Sequence, residues 1–82
     1  MSRIIVERSF DVPQSDADMQ AVADRERPCL AVYKVQWKRS LLAADRRRMV
    51  CEYEAADAET VRKVQREAQA MFERIWVAEV IE

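Results

Sequence analysis

A strand pattern followed directly by a helix pattern occupies residues 49–72, MVCEYEAADAETVRKVQREAQAMF. Apolar and polar side chains alternate over residues 49–55, as they do in a strand with one buried face. Asp57 can then cap a helix, and Glu59 places an acidic group in its first turn. An apolar stripe follows at helical spacing and consists of Val61, Val64, Ala68, Met71 and Phe72. These residues predict a strand and then a helix of about three turns.

The N-terminal part of the chain shows the same succession of a strand and a capped helix. Residues 3–10 begin with β-branched side chains and then alternate, which predicts the first strand. Ser15 can cap the first helix, and Met19 and Val22 recur at helical spacing after it. Pro28 lacks the amide hydrogen that a helix interior requires, so we predict that this helix ends before it.

The remaining stretches complete the pattern. Residues 29–40 alternate and predict a long second strand, which pairs as an antiparallel hairpin with the strand of residues 47–55. Residues 74–81 return to β-branched and aromatic side chains and predict the fourth strand. The order β-α-β-β-α-β, with each helix in a right-handed crossover, is that of a ferredoxin-like α+β sandwich. We predict one ferredoxin-like domain over residues 1–82, because the chain is long enough for only one hydrophobic core.

The alternation also divides the side chains between two faces of the sheet. We expect the helices to cover the face that carries Tyr33, Val35, Trp37, Met49, Cys51 and Tyr53. The open face should then carry Ile5, Glu7, Lys34, Gln36, Val50, Glu52, Val77, Glu79 and Ile81. This mixture of apolar and ionisable groups is typical of a surface that packs against another subunit, and two such sheets make a dimeric α+β barrel with a cavity between them. The alternative is a solvated face with cross-strand Glu–Lys pairs, and a register slip of one residue would exchange the faces.

The charge balance excludes several classes of partner. Lys plus Arg total 14 and Asp plus Glu total 15, so the chain lacks the basic excess of a nucleic-acid-binding protein. The only dense basic run, residues 46–48, follows Asp45 and is typical of a solvated turn. The apolar stretch near the N-terminus soon meets Glu7 and is too short for a signal peptide or a membrane span. We therefore expect a cytoplasmic protein with no nucleic-acid or membrane partner.

Two missing residue types restrict the possible chemistry. The absence of His removes the commonest metal ligand and the usual general base. The absence of Gly excludes the glycine-rich loops that cradle nucleotide phosphates. Cys29 and Cys51 are expected to be buried free thiols in a reducing compartment. The residues themselves leave the catalytic groups unknown and predict no metal ligands and no cofactor.

Acidic residues on the open face are candidates for acid–base chemistry. Glu7, Glu52 and Glu79 can point into one cavity, where neighbouring carboxylates raise one another's pKa and can exchange protons. The alternative is that all three are ordinary surface carboxylates.

Aromatic residues are candidates for ligand contacts. Tyr33, Trp37 and Tyr53 can line a pocket for a small hydrophobic ligand, although aromatic side chains on a helix-covered strand also form an ordinary core. The residues that we predict to contact a ligand are Glu7, Lys34, Gln36, Trp37, Glu52 and Tyr53.

Several short segments, taken in order, resemble the nickel-binding ferredoxin-like family of small bacterial proteins, also known as a domain of unknown function. They are Ile5-Val6-Glu7-Arg8-Ser9-Phe10, Trp37 with Ser40, Cys51-x-Tyr53-x-Ala55, Glu59 with Val61-Arg62, and Arg74-Ile75. The resemblance covers nearly the whole chain and implies a ferredoxin-like fold, a homodimer and bound nickel. The family usually carries a Gly and a Pro where this chain has Gln69 and Met71, so we expect the second helix to run longer here. Because imidazole suits nickel and this chain has none, we predict that the metal site does not carry over.

Three functions from different classes remain open. The first is a cytoplasmic homodimeric binding protein that holds a small ligand or a metal in the cavity between two sheets. The second is a cofactor-free enzyme of the dimeric α+β barrel kind, acting as an isomerase, cyclase or monooxygenase on a hydrophobic substrate. The third is a structural or regulatory partner of a larger protein. The sequence leaves open whether the protein is an enzyme.

Overall fold

The structure, a computed structural model, describes all residues 1–82 and contains four strands and two helices. The elements are β1 (Ser2–Ser9), α1 (Asp16–Tyr33), β2 (Gln36–Leu42), β3 (Arg48–Ala55), α2 (Ala58–Glu67) and β4 (Arg74–Ala78). The strands lie in the order β2-β3-β1-β4, and each neighbouring pair is antiparallel. This arrangement confirms the predicted ferredoxin-like α+β fold. Neither helix combines the length and the apolar composition that crossing a bilayer requires.

The hydrophobic core lies between α2 and the sheet. Asp57 caps α2 by accepting a hydrogen bond of 2.8 Å from the backbone nitrogen of Thr60. The apolar stripe of α2 then buries Val61 and Val64 completely. The strand residues beneath them in the core are Ile4, Val6, Cys51, Tyr53, Ala55 and Ile75. Helix α2 is therefore packed on the sheet as its sequence pattern predicted.

The end of α2 differs from the prediction. The helix ends at Glu67, and Gln69 adopts a left-handed backbone with φ of 55°. The amides of Gln69 and Ala70 bond back to the carbonyls of Arg66 and Gln65, which is a Schellman cap formed without glycine. The expected longer helix is therefore wrong. Met71 and Phe72 follow the cap, where Met71 is 79% exposed and Phe72 packs against the edge of the core.

Helix α1 also ends at a different place from the one predicted. It continues through Pro28 to Tyr33, so residues 29–33 are helical and the predicted long second strand is wrong over that part. The amides of Lys34 and Val35 bond to the carbonyls of Ala31 and Leu30, and Lys34 has a φ of 56°. This second Schellman cap stabilises the turns after Pro28, since a proline removes only one donor from a long helix.

Strand pairing decides which side chains share a face. In β1 and β3 the predicted faces are correct, because Val6 pairs with Cys51 on the helix-covered face. In β4 the prediction is wrong by one residue: Val77 pairs with Ile4 on the covered face, and Trp76 lies on the open face instead. Consecutive apolar residues in β4 carry no alternation that could reveal this parity. The predicted open-face residues Glu79 and Ile81 lie beyond the last residue of β4, and Lys34 and Tyr33 precede β2.

Candidate functional site

An open cleft of about 630 Å³ separates α1 from the strands β2 and β3. It exists because α1 packs less closely on the sheet than α2 does, with Glu26 as its only buried residue. The cleft is lined mainly by apolar side chains, among them Phe10, Met19, Val22, Leu30, Trp37 and Met49. Its polar lining includes Arg8, Glu26, Ser40 and Tyr53.

A buried polar network lies at the floor of the cleft and is centred on Arg8, which is 5% exposed. The Nη2 atom of Arg8 donates to Gln65 Oε1 at 2.8 Å and to Tyr53 Oη at 3.1 Å. Its Nη1 atom donates to the carbonyl oxygen of Met71 at 2.8 Å. Burial alone would lower the pKa of Arg8, but nearby groups, Tyr53 first, outweigh burial and raise it. The guanidinium is therefore held as a cation inside the protein.

Glu26 supplies the negative charge that balances Arg8. Its Oε1 atom accepts a hydrogen bond of 2.8 Å from the Tyr53 hydroxyl and lies 3.5 Å from Arg8 Nη2. Burial, with the nearby Glu26 charge, raises the pKa of Tyr53 above its ordinary value, so the phenol keeps its proton and acts as a donor. Both of these contacts fall on the same oxygen, Oε1 of Glu26.

A second chain of hydrogen bonds runs along the wall formed by β2 and β3. The Trp37 indole donates to Ser40 Oγ at 2.9 Å, and Ser40 Oγ donates to Cys51 Sγ at 3.1 Å. Cys51 is a buried free thiol, as predicted, and Cys29 is a partly buried free thiol on α1. The chain fixes the orientation of Trp37, whose ring forms part of the cleft lining.

Two of the six predicted ligand contacts, Trp37 and Tyr53, lie in this cleft. The other four lie elsewhere. Gln36 and Glu52 are on the open face, and Lys34 is the left-handed residue that follows α1. Glu7 is also on the open face, where its Oε2 atom accepts a hydrogen bond of 2.6 Å from the Trp76 indole.

The open-face carboxylates do not form an acid–base cluster. Glu52 lies between Arg39 Nε at 2.9 Å and Arg3 Nη1 at 2.7 Å. The hydrogen bond from Arg39, with that from Arg3, holds the pKa of Glu52 below its ordinary value even though burial opposes the shift. Glu52 is therefore ionised and paired, and Glu79 lies outside the sheet.

The donor atoms of this chain do not fit nickel. There is no imidazole, and no three carboxylate or thiolate groups come together as a possible metal site. The two thiols lie on different elements, Cys51 on β3 and Cys29 on α1. The Glu52 carboxylate is occupied by two arginines and the Glu7 carboxylate by an indole. Nickel prefers nitrogen and sulfur donors that are free to coordinate, and a single chain does not bring such a set together.

Sequence reasoning missed the residues that form the floor of the cleft. Arg8 has the same strand parity as Ile4 and Val6, so its place on the covered face could have been predicted from β1 alone. Glu26 had no such signal, because the first helix was expected to end near it. Gln65 lies in α2 beside the buried Val64, and only the position of Arg8 explains why an amide is buried there.

Comparisons with known proteins give one family and one fold. A family model described as "Nickel responsive protein SCO4226-like" matches residues 5–77. The crystal structure of SCO4226 from Streptomyces coelicolor A3(2) superimposes with a TM-score of 0.87 and 11% identity, covering 99% of this chain and 100% of that chain. At this identity the superposition shows the fold alone. No curated protein matches the chain significantly. The family match confirms the resemblance found in the sequence, and the chain belongs to the SCO4226-like family of nickel responsive proteins.

Proposed function

We propose that this protein is a small binding protein that holds an amphipathic organic molecule in the cleft between α1 and the sheet. The observation that carries the proposal is the cleft itself, about 630 Å³ in volume and mostly apolar, with a buried polar network at its floor. Ligand pockets of proteins typically measure about 300–1,000 Å³ and combine apolar walls with a few placed polar groups. The site lies within one chain, in contrast to the cavity between two sheets that the sequence suggested.

Binding is favoured over catalysis because the polar groups at the floor of the cleft are already paired with one another. Arg8, Glu26 and Tyr53 bond to one another, and the raised pKa of Tyr53 makes its phenol a poor proton donor to a substrate at neutral pH. The alternative, a cofactor-free isomerase, cyclase or monooxygenase, would require one of these groups to exchange a proton with the substrate. The network supports a positioning role for them instead.

The family is described as nickel responsive, and the donor atoms of this chain bear on how it would take part in such a response. We infer that one chain of this protein does not chelate nickel, because it has no imidazole, brings no three thiolate or carboxylate groups together, and pairs the Glu7 and Glu52 carboxylates with an indole and with arginines. A role in the response to nickel would then depend on the molecule bound in the cleft or on a partner protein.

A homodimer formed through the open face of the sheet completes the proposal. Trp76 is 45% exposed and Leu41 56% exposed on this face, where they flank Ile5 and Val50. Exposed apolar side chains around paired charges are typical of a surface that another subunit covers. Sedimentation equilibrium should therefore show a dimer that Trp76→Lys dissociates. Val32→Lys, at an exposed position on α1, is the control and should leave the dimer intact; a wild-type monomer at micromolar concentration would refute the dimer.

The test of the cleft is a titration with β-naphthol followed by heteronuclear NMR. The two indole N–H signals report on separate surfaces, because Trp37 lines the cleft and Trp76 lies on the open face. Binding in the cleft should shift the Trp37 signal and leave the Trp76 signal in place, with saturation near about 1 mM or below, equivalent to roughly 4 kcal/mol. A shift of Trp76 alone would place the ligand on the open face and refute the proposed site.

Two matched variants on α1 control for effects outside the cleft. Ala23 lines the cleft and Ala21, two residues earlier, does not. Ala23→Phe should fill part of the cleft and weaken β-naphthol binding, whereas Ala21→Phe should leave the affinity unchanged. Equal affinities in both variants would contradict the proposed function.

A further inference from the structure

We propose that Cys51 is a nucleophilic thiol of the cleft, which adds to apolar α,β-unsaturated carbonyl compounds and so retains them covalently. The inference deepens the proposed function and rests on it, because the cleft that binds the apolar body of the ligand also presents this sulfur. It depends on the groups that converge on Cys51 and on the contrast with the second thiol of the chain, Cys29.

A hydroxyl from β2 faces the Cys51 sulfur in the wall of the cleft. Ser40 pairs directly with Cys51 across the two strands, and its Oγ donates to Sγ at 3.1 Å. The Trp37 indole donates to the same Oγ at 2.9 Å, so the hydroxyl proton points away from the indole and toward the sulfur. The sulfur is therefore a hydrogen-bond acceptor, a role that suits a thiolate better than a thiol.

A buried cation from β1 lies beside the same sulfur. Val6 pairs with Cys51, and Arg8 follows two residues along β1, so Arg8 and Cys51 are diagonal neighbours on the covered face. Burial lowers the pKa of Arg8, but its interactions with Tyr53 first, and then with Cys51, outweigh burial and raise it. The guanidinium therefore stays charged, although it shares its charge with Glu26. A neighbouring cation favours the thiolate, which is the form of cysteine that attacks electrophiles.

Cys29 provides a comparison within the same chain. It lies on α1 and is more exposed than Cys51, but it does not line the cleft. Its Sγ donates to the carbonyl oxygen of Arg25 at 3.8 Å, a contact that keeps the thiol proton in place. Exposure alone predicts that Cys29 reacts first. The surroundings of the two sulfurs predict the opposite order for an apolar reagent that enters the cleft.

The proposed reaction is a conjugate addition. Cys51 Sγ forms a bond to the terminal carbon of the double bond, and the electron pair of that double bond moves toward the carbonyl group to give an enolate. The enolate then takes up from water a proton equal to the one that the thiol released. The elements of S–H are added across the double bond, and nothing is oxidised or reduced, so the step requires no co-reactant. Phe10, Trp37 and Met49 in the lining suit an aromatic body on the carbonyl compound.

The experiment uses β-naphthyl vinyl ketone as the probe and β-naphthyl ethyl ketone, which lacks the double bond, as its control. Mass spectrometry of the intact protein and of its peptides should show one molecule of vinyl ketone added at Cys51, about tenfold or more faster than at Cys29. The ethyl ketone should shift the Trp37 indole signal and add no mass. Labelling of Cys29 at a rate equal to or greater than that of Cys51 would refute the proposal.

Ser40 variants test whether the surroundings of the sulfur cause the reactivity. Ser40 is exposed at the surface of β2, so its replacement should leave the protein folded. Ser40→Ala removes the hydroxyl that faces Sγ and should slow the labelling of Cys51 by about tenfold, the effect of one hydrogen bond to a charged atom. Ser40→Thr keeps a hydroxyl and should retain most of the rate. Equal rates in the wild type and both variants would refute the role of this donor.

Access through the cleft is tested with the two alanine variants of α1. Ala23→Phe should slow the labelling of Cys51, whereas Ala21→Phe should leave it unchanged; equal rates in both would contradict entry through the cleft. If the ethyl ketone shifts the Trp37 signal but the vinyl ketone leaves Cys51 unlabelled, the nucleophile inference is wrong while the cleft remains a binding site. If neither ketone shifts the Trp37 signal or labels Cys51, the proposed function itself is wrong.

Discussion

The Tyr53→Phe substitution tests the buried network most directly, because it removes one hydroxyl and keeps the ring that fills the core. Tyr53 is 1% exposed, so the phenylalanine ring occupies the same volume and leaves no large cavity. The hydroxyl donates to Glu26 at 2.8 Å and accepts from Arg8 at 3.1 Å. Both partners are charged and buried, and each loses one hydrogen bond.

The expected loss of stability follows from these two bonds. A hydrogen bond to a charged group contributes about 1.5–3 kcal/mol to stability. Arg8 keeps its bonds to Gln65 and Met71, and Glu26 can move closer to Arg8 from its present 3.5 Å, so part of the loss is recovered. We therefore expect the free energy of unfolding to fall by about 2–4 kcal/mol, well above the change expected for a surface hydroxyl.

Thermal and urea unfolding followed by circular dichroism measure this loss. For a domain of this size, each kcal/mol should lower the melting temperature by about 4–8 °C. Tyr33→Phe is the matched control: Tyr33 also donates to a carboxylate, Glu67 at 2.6 Å, but at the exposed end of α1. Its removal should change stability little. If Tyr53→Phe is no more destabilising than Tyr33→Phe, the network does not stabilise the fold and the reasoning fails.

Three further outcomes are expected. Arg39 and Arg3 hold the pKa of Glu52 below its ordinary value. Their ion pairs with Glu52 therefore stabilise the fold at pH values above the unfolded pKa of about 4.3, and this stabilisation is lost as the pH falls through the lower pKa of the folded state. Glu52→Gln should flatten the fall of the melting temperature on acidification, and an unchanged pH profile would contradict this. Pro28→Ala should raise the free energy of unfolding by about 2 kcal/mol. Proline in a helix interior costs about 3 kcal/mol relative to alanine, and part of this gain is offset because the unfolded chain with alanine is more flexible. A destabilised variant would show that the proline is required in α1. Calorimetric titration of tag-free protein with nickel should show no specific site with a dissociation constant below about 1 μM, which corresponds to a binding free energy of roughly 8 kcal/mol. A stoichiometric sub-micromolar site would restore a metal function.

Much of the fold could be predicted because local patterns report local burial. The alternation in β1 and β3 identified their buried faces correctly, and the Asp57 cap with the Val61 and Val64 stripe located α2. The errors occurred where the local signal was weak or misleading. Pro28 indicated a helix end that the Schellman cap at Lys34 overrides. In β4, consecutive apolar residues concealed which of them faces the core.

The candidate site could be predicted only in part. Trp37 and Tyr53 stood out as aromatic residues on the covered face, and both line the cleft. Glu26 and Gln65 did not stand out, because a Glu or Gln in a helix is ordinarily a solvated residue. Their importance appears only when Arg8 is seen to lie between them.

The sequence by itself determined the order of the elements, the buried faces of the central strands, and the absence of imidazole ligands and of glycine-rich phosphate-binding loops. Only the tertiary structure decided that α1 stands away from the sheet and that a cleft forms beneath it. The partners in the network are far apart along the chain, with Arg8 and Gln65 separated by 57 residues and Glu26 and Tyr53 by 27. Periodicity describes which way a side chain points along its own element. It carries no information about the distance between a helix and a sheet, which depends on how side chains from distant segments pack together.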